Sequence, residues 1–139
     1  MKKKNLELIV ESNNQNSFWG RVEYKGSLIV GEGDTFEAMI QNVKDGLEDS
    51  IEHEWKDDPF WKKIDLKTIE FDIKYDLQAF FEKFNVLKIS NIGVMAGMNE
   101  SLIRHYATGK KYPSIDQVKK IEKAIHQLGF QLQKISIYA

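Results

Sequence analysis

The stretch Ile92-Gly93-Val94-Met95-Ala96-Gly97-Met98-Asn99-Glu100-Ser101-Leu102-Ile103-Arg104-His105-Tyr106-Ala107-Thr108-Gly109-Lys110-Lys111-Tyr112-Pro113-Ser114 decides how the chain is read. Gly93 and Ala96 are small, which lets two helices approach closely. Gly97 follows a predicted helix at a point where a residue with positive φ ends it at little cost. Asn99 is a good N-cap for the next helix. Helical spacing turns Ile103 and Tyr106 into a core with Leu102 alongside, leaving Glu100, Ser101, Arg104, His105 and Thr108 on the outer face. Gly109 ends that helix, Lys110-Lys111 occupy the loop, and Pro113-Ser114 stop the loop and start another helix.

Working outward, the period is helical from Asp76 onward. Leu77, Phe80, Phe81 and Phe84 predict one short amphipathic helix with Asp76 as its cap, and Ile89, Ile92, Val94 and Met95 a second. A third runs from Asn99 to Ala107. A fourth runs from Ser114 to about Leu132, with Ile115, Val118, Ile121, Ile125, Leu128 and Leu132 on one stripe. Ile135-Ser136-Ile137-Tyr138 is β-prone and predicts an extended tail that pairs or packs, either within the chain or across a dimer.

The first 75 residues read differently. Leu6 to Glu11 is a β-prone run closed by the turn-forming Ser12-Asn13-Asn14-Gln15-Asn16. Phe18, Gly20, Val22 and Tyr24 alternate with Trp19, Arg21 and Glu23, and after Lys25-Gly26-Ser27 a third strand begins at Leu28 and stops at Gly31-Glu32-Gly33. These predict an antiparallel meander. Asp34 and Glu37 have capping-box spacing ahead of a helix over about residues 35–54, whose stripe Phe36, Met39, Ile40, Val43, Leu47 and Ile51 needs a sheet to cover. Trp55 to Lys67 is expected to be an irregular connection, and Thr68 to Tyr75 a fourth strand. The fold class is therefore α+β, a βββαβ domain over residues 1–75 followed by an all-α domain over 76–139.

Composition narrows the function classes. An apolar fraction of 42% supplies real cores, and 12% aromatic content argues against disorder. There is no cysteine, so no disulfide framework or thiolate metal site can form. Met1-Lys2-Lys3-Lys4 is basic, but the apolar run after it is short and interrupted by Glu7, which does not describe a signal peptide. The expectation is a cytoplasmic protein without membrane contact. The net charge of −1 hides an asymmetry. Residues 1–75 hold 11 Lys/Arg and 16 Asp/Glu, a balance of −5, and residues 76–139 hold 9 and 5, a balance of +4. An acidic half joined to a basic half suggests two partners of opposite charge.

The residues quoted at the outset resemble the Cro/repressor (Xre-like) helix-turn-helix family over residues 88–128, with Gly97, Asn99, Ile103, Gly109 and Pro113 at that family's spacing. The resemblance implies that the third predicted helix enters the major groove of double-stranded DNA. It places Asn99 at the cap, Glu100, Ser101 and His105 at base-reading positions with Thr108 on the same face, and Arg104, Lys110 and Lys111 at phosphates, Arg104 also being able to reach guanine. The family often carries an acidic residue two before the loop glycine, where this chain has Ala107.

Gly31-Glu32-Gly33-Asp34-Thr35, followed by Phe36-Glu37-Ala38 and a long amphipathic helix, resembles the HicB antitoxin family, whose βββαβ domain is similar to a ribonuclease H fold without its catalysis. That resemblance implies an operon-repressing antitoxin, dimeric or larger, which occludes a small basic RNA-cleaving HicA toxin. The acidic half suits such a partner. Trp19, Arg21 and Glu23, on one face of the second strand, and the connection bearing Trp55 and Trp61 are the candidate toxin-binding residues, since Trp and Arg frequently anchor interfaces. The alternative is a stand-alone transcription regulator whose first domain senses a ligand.

No catalytic or metal-binding constellation is expected, and the chain is not read as an enzyme. His53, His105 and His126 lie in no metal-ligand pattern, and Glu52-His53-Glu54 reads as a solvated helix end. Asp34, Asp49, Asp57, Asp58 and Asp72 show no spacing suited to a two-metal nuclease, and Asp34 is explained by capping. Gly31-Glu32-Gly33 lacks the further glycine of a dinucleotide fingerprint, so no cofactor is expected.

Overall fold

The computed structural model describes residues 6–13 and 17–139, so the basic start Met1 to Lys4 and the Asn14–Asn16 part of the predicted turn lie outside the described residues. The chain divides into two compact units, the first ending at Lys83 and the second spanning Phe84–Ala139.

The first unit is α+β. Its strands are β1 (Leu6–Ser12), β2 (Phe18–Tyr24), β3 (Ser27–Gly33) and β4 (Phe71–Tyr75), and its helices are α1 (Phe36–His53), α2 (Pro59–Lys62) and α3 (Leu77–Lys83). The sheet order is β3-β2-β1-β4. The first three strands form the expected antiparallel meander, and Lys25 and Gly26, at φ 47° and 81°, make the tight two-residue turn that suits strand twist. The fourth strand pairs parallel to β1, with Leu6 opposite Phe71, Leu8 opposite Ile73 and Val10 opposite Tyr75. The sheet is thus mixed, because α1 and α2 carry the chain back to the same end before β4 begins.

Period-2 patterning puts Leu6, Leu8, Val10, Phe18 and Val22 on the covered face, against Met39, Val43 and Leu47 of α1. Helix and strand come unusually close at Gly31, where a Cβ would stand 2.5 Å from the Val43 backbone nitrogen. A side chain there would push α1 off the sheet.

Several expectations need correcting. The α1 N-cap is Thr35, whose Oγ1 accepts from the Ala38 N–H at 3.0 Å, and Asp34 does not cap the helix. Glu37 lies near Lys83 Nζ (4.0 Å) instead of closing a capping box. The fourth strand begins only at Phe71 and not at Thr68. The connection at 55–67 is largely ordered: Tyr24, Trp55, Phe60 and Trp61 pack ring against ring at 4.9–5.2 Å, with Trp55 and Trp61 stacked. Both tryptophans are buried, so they are core residues and form no exposed toxin-binding surface.

Asp58 organises this corner. Its Oδ1 accepts the Phe60 N–H and starts α2, while Oδ2 accepts from the Tyr24 hydroxyl at 2.7 Å and from Lys25 Nζ at 2.9 Å. The Tyr24 hydrogen bond first, and the Lys25 one next, hold the carboxyl at about 2, below its ordinary 3.8. Asp76 behaves in the opposite way: it accepts the Ala79 N–H at 2.8 Å as the cap of α3, and burial pushes its carboxyl up. Because α3 packs on β1 and Ala79 enters the sheet's core, the division between units falls after Lys83 and not at 75/76.

The second unit contains α4 (Ile89–Met95), α5 (Glu100–Thr108) and α6 (Ile115–Lys134). Ile92, Met98, Ile103, Tyr106, Ile121 and Ala124 are its buried side chains. Residues 135–139 carry no regular structure, and Ile137 is 91% exposed, so the predicted tail forms no strand within the chain.

Candidate nucleic-acid interface

The geometry of the α4–α5 pair follows from its glycines. Gly97 takes φ +72°, its N–H donates to Val94 O at 3.1 Å, and the Met98 N–H donates to Gly93 O at 2.8 Å. Two orphan carbonyls of α4 are thereby satisfied, and the chain turns sharply into α5. The Asn99 side chain accepts the Leu102 N–H at 2.8 Å and starts α5 as expected. Gly93 faces α5 directly: a Cβ there would stand 2.8 Å from Ile103 Cγ2. Only a residue without a side chain allows this approach.

The outer face of α5 carries Glu100, Ser101, Arg104 and Thr108, all exposed. Arg104 is not free: its Nε and Nη2 donate to Glu100 Oε1 at 3.0 and 2.7 Å, one turn back. The Thr108 hydroxyl donates to Arg104 O at 3.0 Å, which leaves its methyl and an oxygen lone pair outward. His105 departs from expectation. It is half-buried with Nδ1 enclosed and without a hydrogen-bond partner among the described residues, because its helical position turns it partly toward the interior; it belongs to the edge of the outer face.

The loop after α5 is pinned by backbone. Gly109, at φ +78°, donates to Tyr106 O at 3.3 Å, and the Lys111 N–H donates to His105 O at 3.2 Å. Ala107 therefore costs the loop no order. Lys110 and Lys111 stand exposed on it, and Tyr112 beside them is 89% exposed. Ser114 then caps α6 by accepting the Gln117 N–H at 3.3 Å. Residues 84–139 hold 8 Lys/Arg and 3 Asp/Glu, a balance of +5.

In the first unit, the sheet face away from α1 is open. Trp19, Arg21 and Glu23 lie on it, together with Leu28 and Val30 of β3. Trp19 is 42% exposed and lines a shallow depression with Glu11, Arg21, Leu28 and Val30. Arg21 is paired with Glu11 and Lys74 with Glu7, whereas Glu23 and Glu32 have no ion-pair partner among the described residues.

Among the described residues, no three His, Cys, Asp or Glu come together to hold a metal ion, and no helix is long and apolar enough to cross a membrane. No protein-family model, curated protein or solved structure matches the chain. What the fold defines is an α+β chain with a four-stranded mixed sheet and a separate helical unit.

Proposed function

We propose that the protein is a HicB-type antitoxin: its α+β unit holds a small basic toxin that cleaves RNA, and its helical unit represses the operon by binding operator DNA as a helix-turn-helix. The observation that carries the reading is the α4–α5 pair, in which Gly97 turns the chain, Gly93 admits Ile103, and a basic loop follows an exposed polar helix face. That combination suits insertion of α5 into the major groove with its first turn on base edges and Lys110-Lys111 on phosphates. The toxin arm is supported by the charge of the first unit, 12 Lys/Arg against 18 Asp/Glu through Lys83, and by the exposed Trp19–Arg21–Glu23 face. Neutralisation is by occlusion and needs no catalytic group.

The test has two arms. Fluorescence anisotropy with the duplex upstream of the gene should show binding that falls steeply with salt, and Lys110→Ala and Lys111→Ala should each lower the salt slope by about 1 on any sequence. Co-expression with the adjacent short reading frame should yield a stable complex whose toxicity is masked. Equal affinity for the upstream and scrambled duplexes overturns the repressor arm, and a neighbour that neither binds nor is toxic overturns the antitoxin arm.

A further inference from the structure

The hairpin decides which backbone groups of β3 are used inside the sheet. Around a two-residue turn such as Lys25-Gly26, the flanking Tyr24 and Ser27 exchange both backbone hydrogen bonds, and every second pair after them does the same. Ser27, Ile29, Gly31 and Gly33 therefore bond to β2, while the N–H and C=O of Leu28, Val30 and Glu32 point away from it. That direction is outward, because β3 is the last strand of the sheet. One of these groups is taken: the Asn42 side chain of α1 donates to Glu32 O. The outward groups of Leu28 and Val30 meet no partner among the described residues.

Edge strands are ordinarily kept from pairing by lysine or proline, by a bulge, or by being short. β3 has none of these. It runs for seven residues in unbroken register with β2 and contains no lysine, arginine or proline, and Leu28 and Val30 stand 58% and 50% exposed. The opposite edge strand, β4, has five residues and carries Lys74. An edge left open in this way is a template for an extended segment of another chain. Charge selects the segment. Glu23 lies opposite Leu28 across β2, and Glu32 follows on β3 itself. The nearby cations are engaged, Arg21 by Glu11 and Lys25 by Asp58, whereas Glu23 and Glu32 are in no ion pair among the described residues. A basic strand gains at both carboxylates. A second copy would instead bring another unit with 18 Asp/Glu against 12 Lys/Arg and meet like charge.

We infer that a basic protein adds an extended segment to the open edge of β3, paired through the backbone of Leu28 and Val30. The inference rests on the reading of the first unit as the holder of a basic protein, but its probe is a synthetic peptide, so failure of the co-expression test and failure of this one are separate results. The probe is an octapeptide alternating lysine and valine, blocked at both ends; its counterpart alternates glutamate and valine. With the full chain, the basic peptide should bind below about 1 mM and more weakly as salt rises, and the acidic one should not bind. Amide hydrogen exchange read by NMR supplies the backbone evidence. In the free protein Leu28 and Val30 should exchange fast and Ile29 and Gly31 slowly, and saturating basic peptide should slow Leu28 and Val30 at least about tenfold. Val30→Pro removes an outward donor that β2 does not use, so it should keep the wild-type circular dichroism and lose most of the peptide affinity. The exchange measurement needs no variant and decides the matter if that substitution disturbs the fold. Absence of binding at about 1 mM overturns the inference. So does equal binding of the acidic peptide, binding that leaves Leu28 and Val30 exchanging fast, or a folded Val30→Pro protein with full affinity. Slow exchange at Leu28 and Val30 in the free protein also overturns it, since a second copy then occupies the edge.

Discussion

The Arg104 guanidinium is held by the Glu100 carboxylate one helical turn before it, with Nη2 2.7 Å and Nε 3.0 Å from the same oxygen. Both residues are exposed, so the pair adds little to stability. Its consequence lies in binding, because the cation at the centre of the proposed reading face is already occupied.

Replacing Glu100 with Gln should release Arg104 and remove a negative charge from that face. Affinity for any duplex should rise, and the salt slope should steepen by up to about 1, as one more phosphate contact becomes available. Discrimination between operator and random DNA should narrow. If affinity falls equally on all sequences, Glu100 is positioning Arg104 for DNA and is not withholding it.

Ser101 is exposed near the start of α5. Ser101→Ala should cost roughly 1–3 kcal/mol at particular base pairs if its hydroxyl reads an edge, with little change on random DNA. Titration against single-base variants of the operator measures this. A uniform loss across all variants would place Ser101 at the backbone.

Gly93→Val should disrupt the second unit, since even the first added carbon would stand 2.8 Å from Ile103 Cγ2. Overpacking of this kind typically costs about 1–3 kcal/mol, and Ile103→Ala, which opens a cavity at the same contact, about 2–5 kcal/mol. Asn99→Ala should cost about 0.5–2 kcal/mol through loss of the α5 cap. Urea unfolding followed by circular dichroism reports all three.

The tryptophans should separate by role. Trp61→Ala removes a buried ring stacked on Trp55 and should cost about 3–5 kcal/mol of the first unit's stability. Trp19→Ala should cost the first unit less stability than Trp61→Ala while weakening partner binding, because its ring is 42% exposed on the open sheet face. Calorimetry of the free protein and titration with the partner distinguish the two.

Acid should act through Asp58. Its folded carboxyl sits at about 2 against an ordinary 3.8, so its contribution is fully present above the higher value and is lost as pH falls through the lower one. Asp58→Asn should therefore be less stable than wild type at about pH 5, and the gap should close between about pH 4 and pH 2. Burial shifts Asp76 the other way, so protonation relieves a cost there that is present at neutral pH. A gap between Asp58→Asn and wild type that stays constant down to about pH 2 would mean that the Tyr24 and Lys25 contacts do not favour the charged form.

Much of this was legible from local chemistry. The meander follows from alternation and the Lys25-Gly26 turn, and α5 from Asn99, Gly109 and the spacing of Ile103 and Tyr106. Capping was less certain wherever two capable residues were adjacent: Asp34 and Thr35 both qualify, and only the backbone geometry at Thr35 aims its oxygen at the Ala38 N–H. The burial of Trp55 and Trp61 is not legible locally, because exposure depends on what the rest of the chain brings near. In this protein it brings Tyr24 from a distant strand onto both rings.

The sequence by itself determined the order of the strands and of the helices other than α2, the α+β class, and the sharp turns at Lys25-Gly26, Gly97 and Gly109. All of these depend on neighbours within a few residues, through periodicity, caps and positive-φ glycines. Only the tertiary structure decided that β4 runs parallel to β1, that α3 joins the sheet's core, that Arg104 is held by Glu100, and that Ile121 of the α6 stripe is buried while Leu132 is exposed. The first two depend on contacts between remote segments, the third on which rotamer of a long side chain is held, and the fourth on where the packed neighbours stop. Local patterning leaves each of those open.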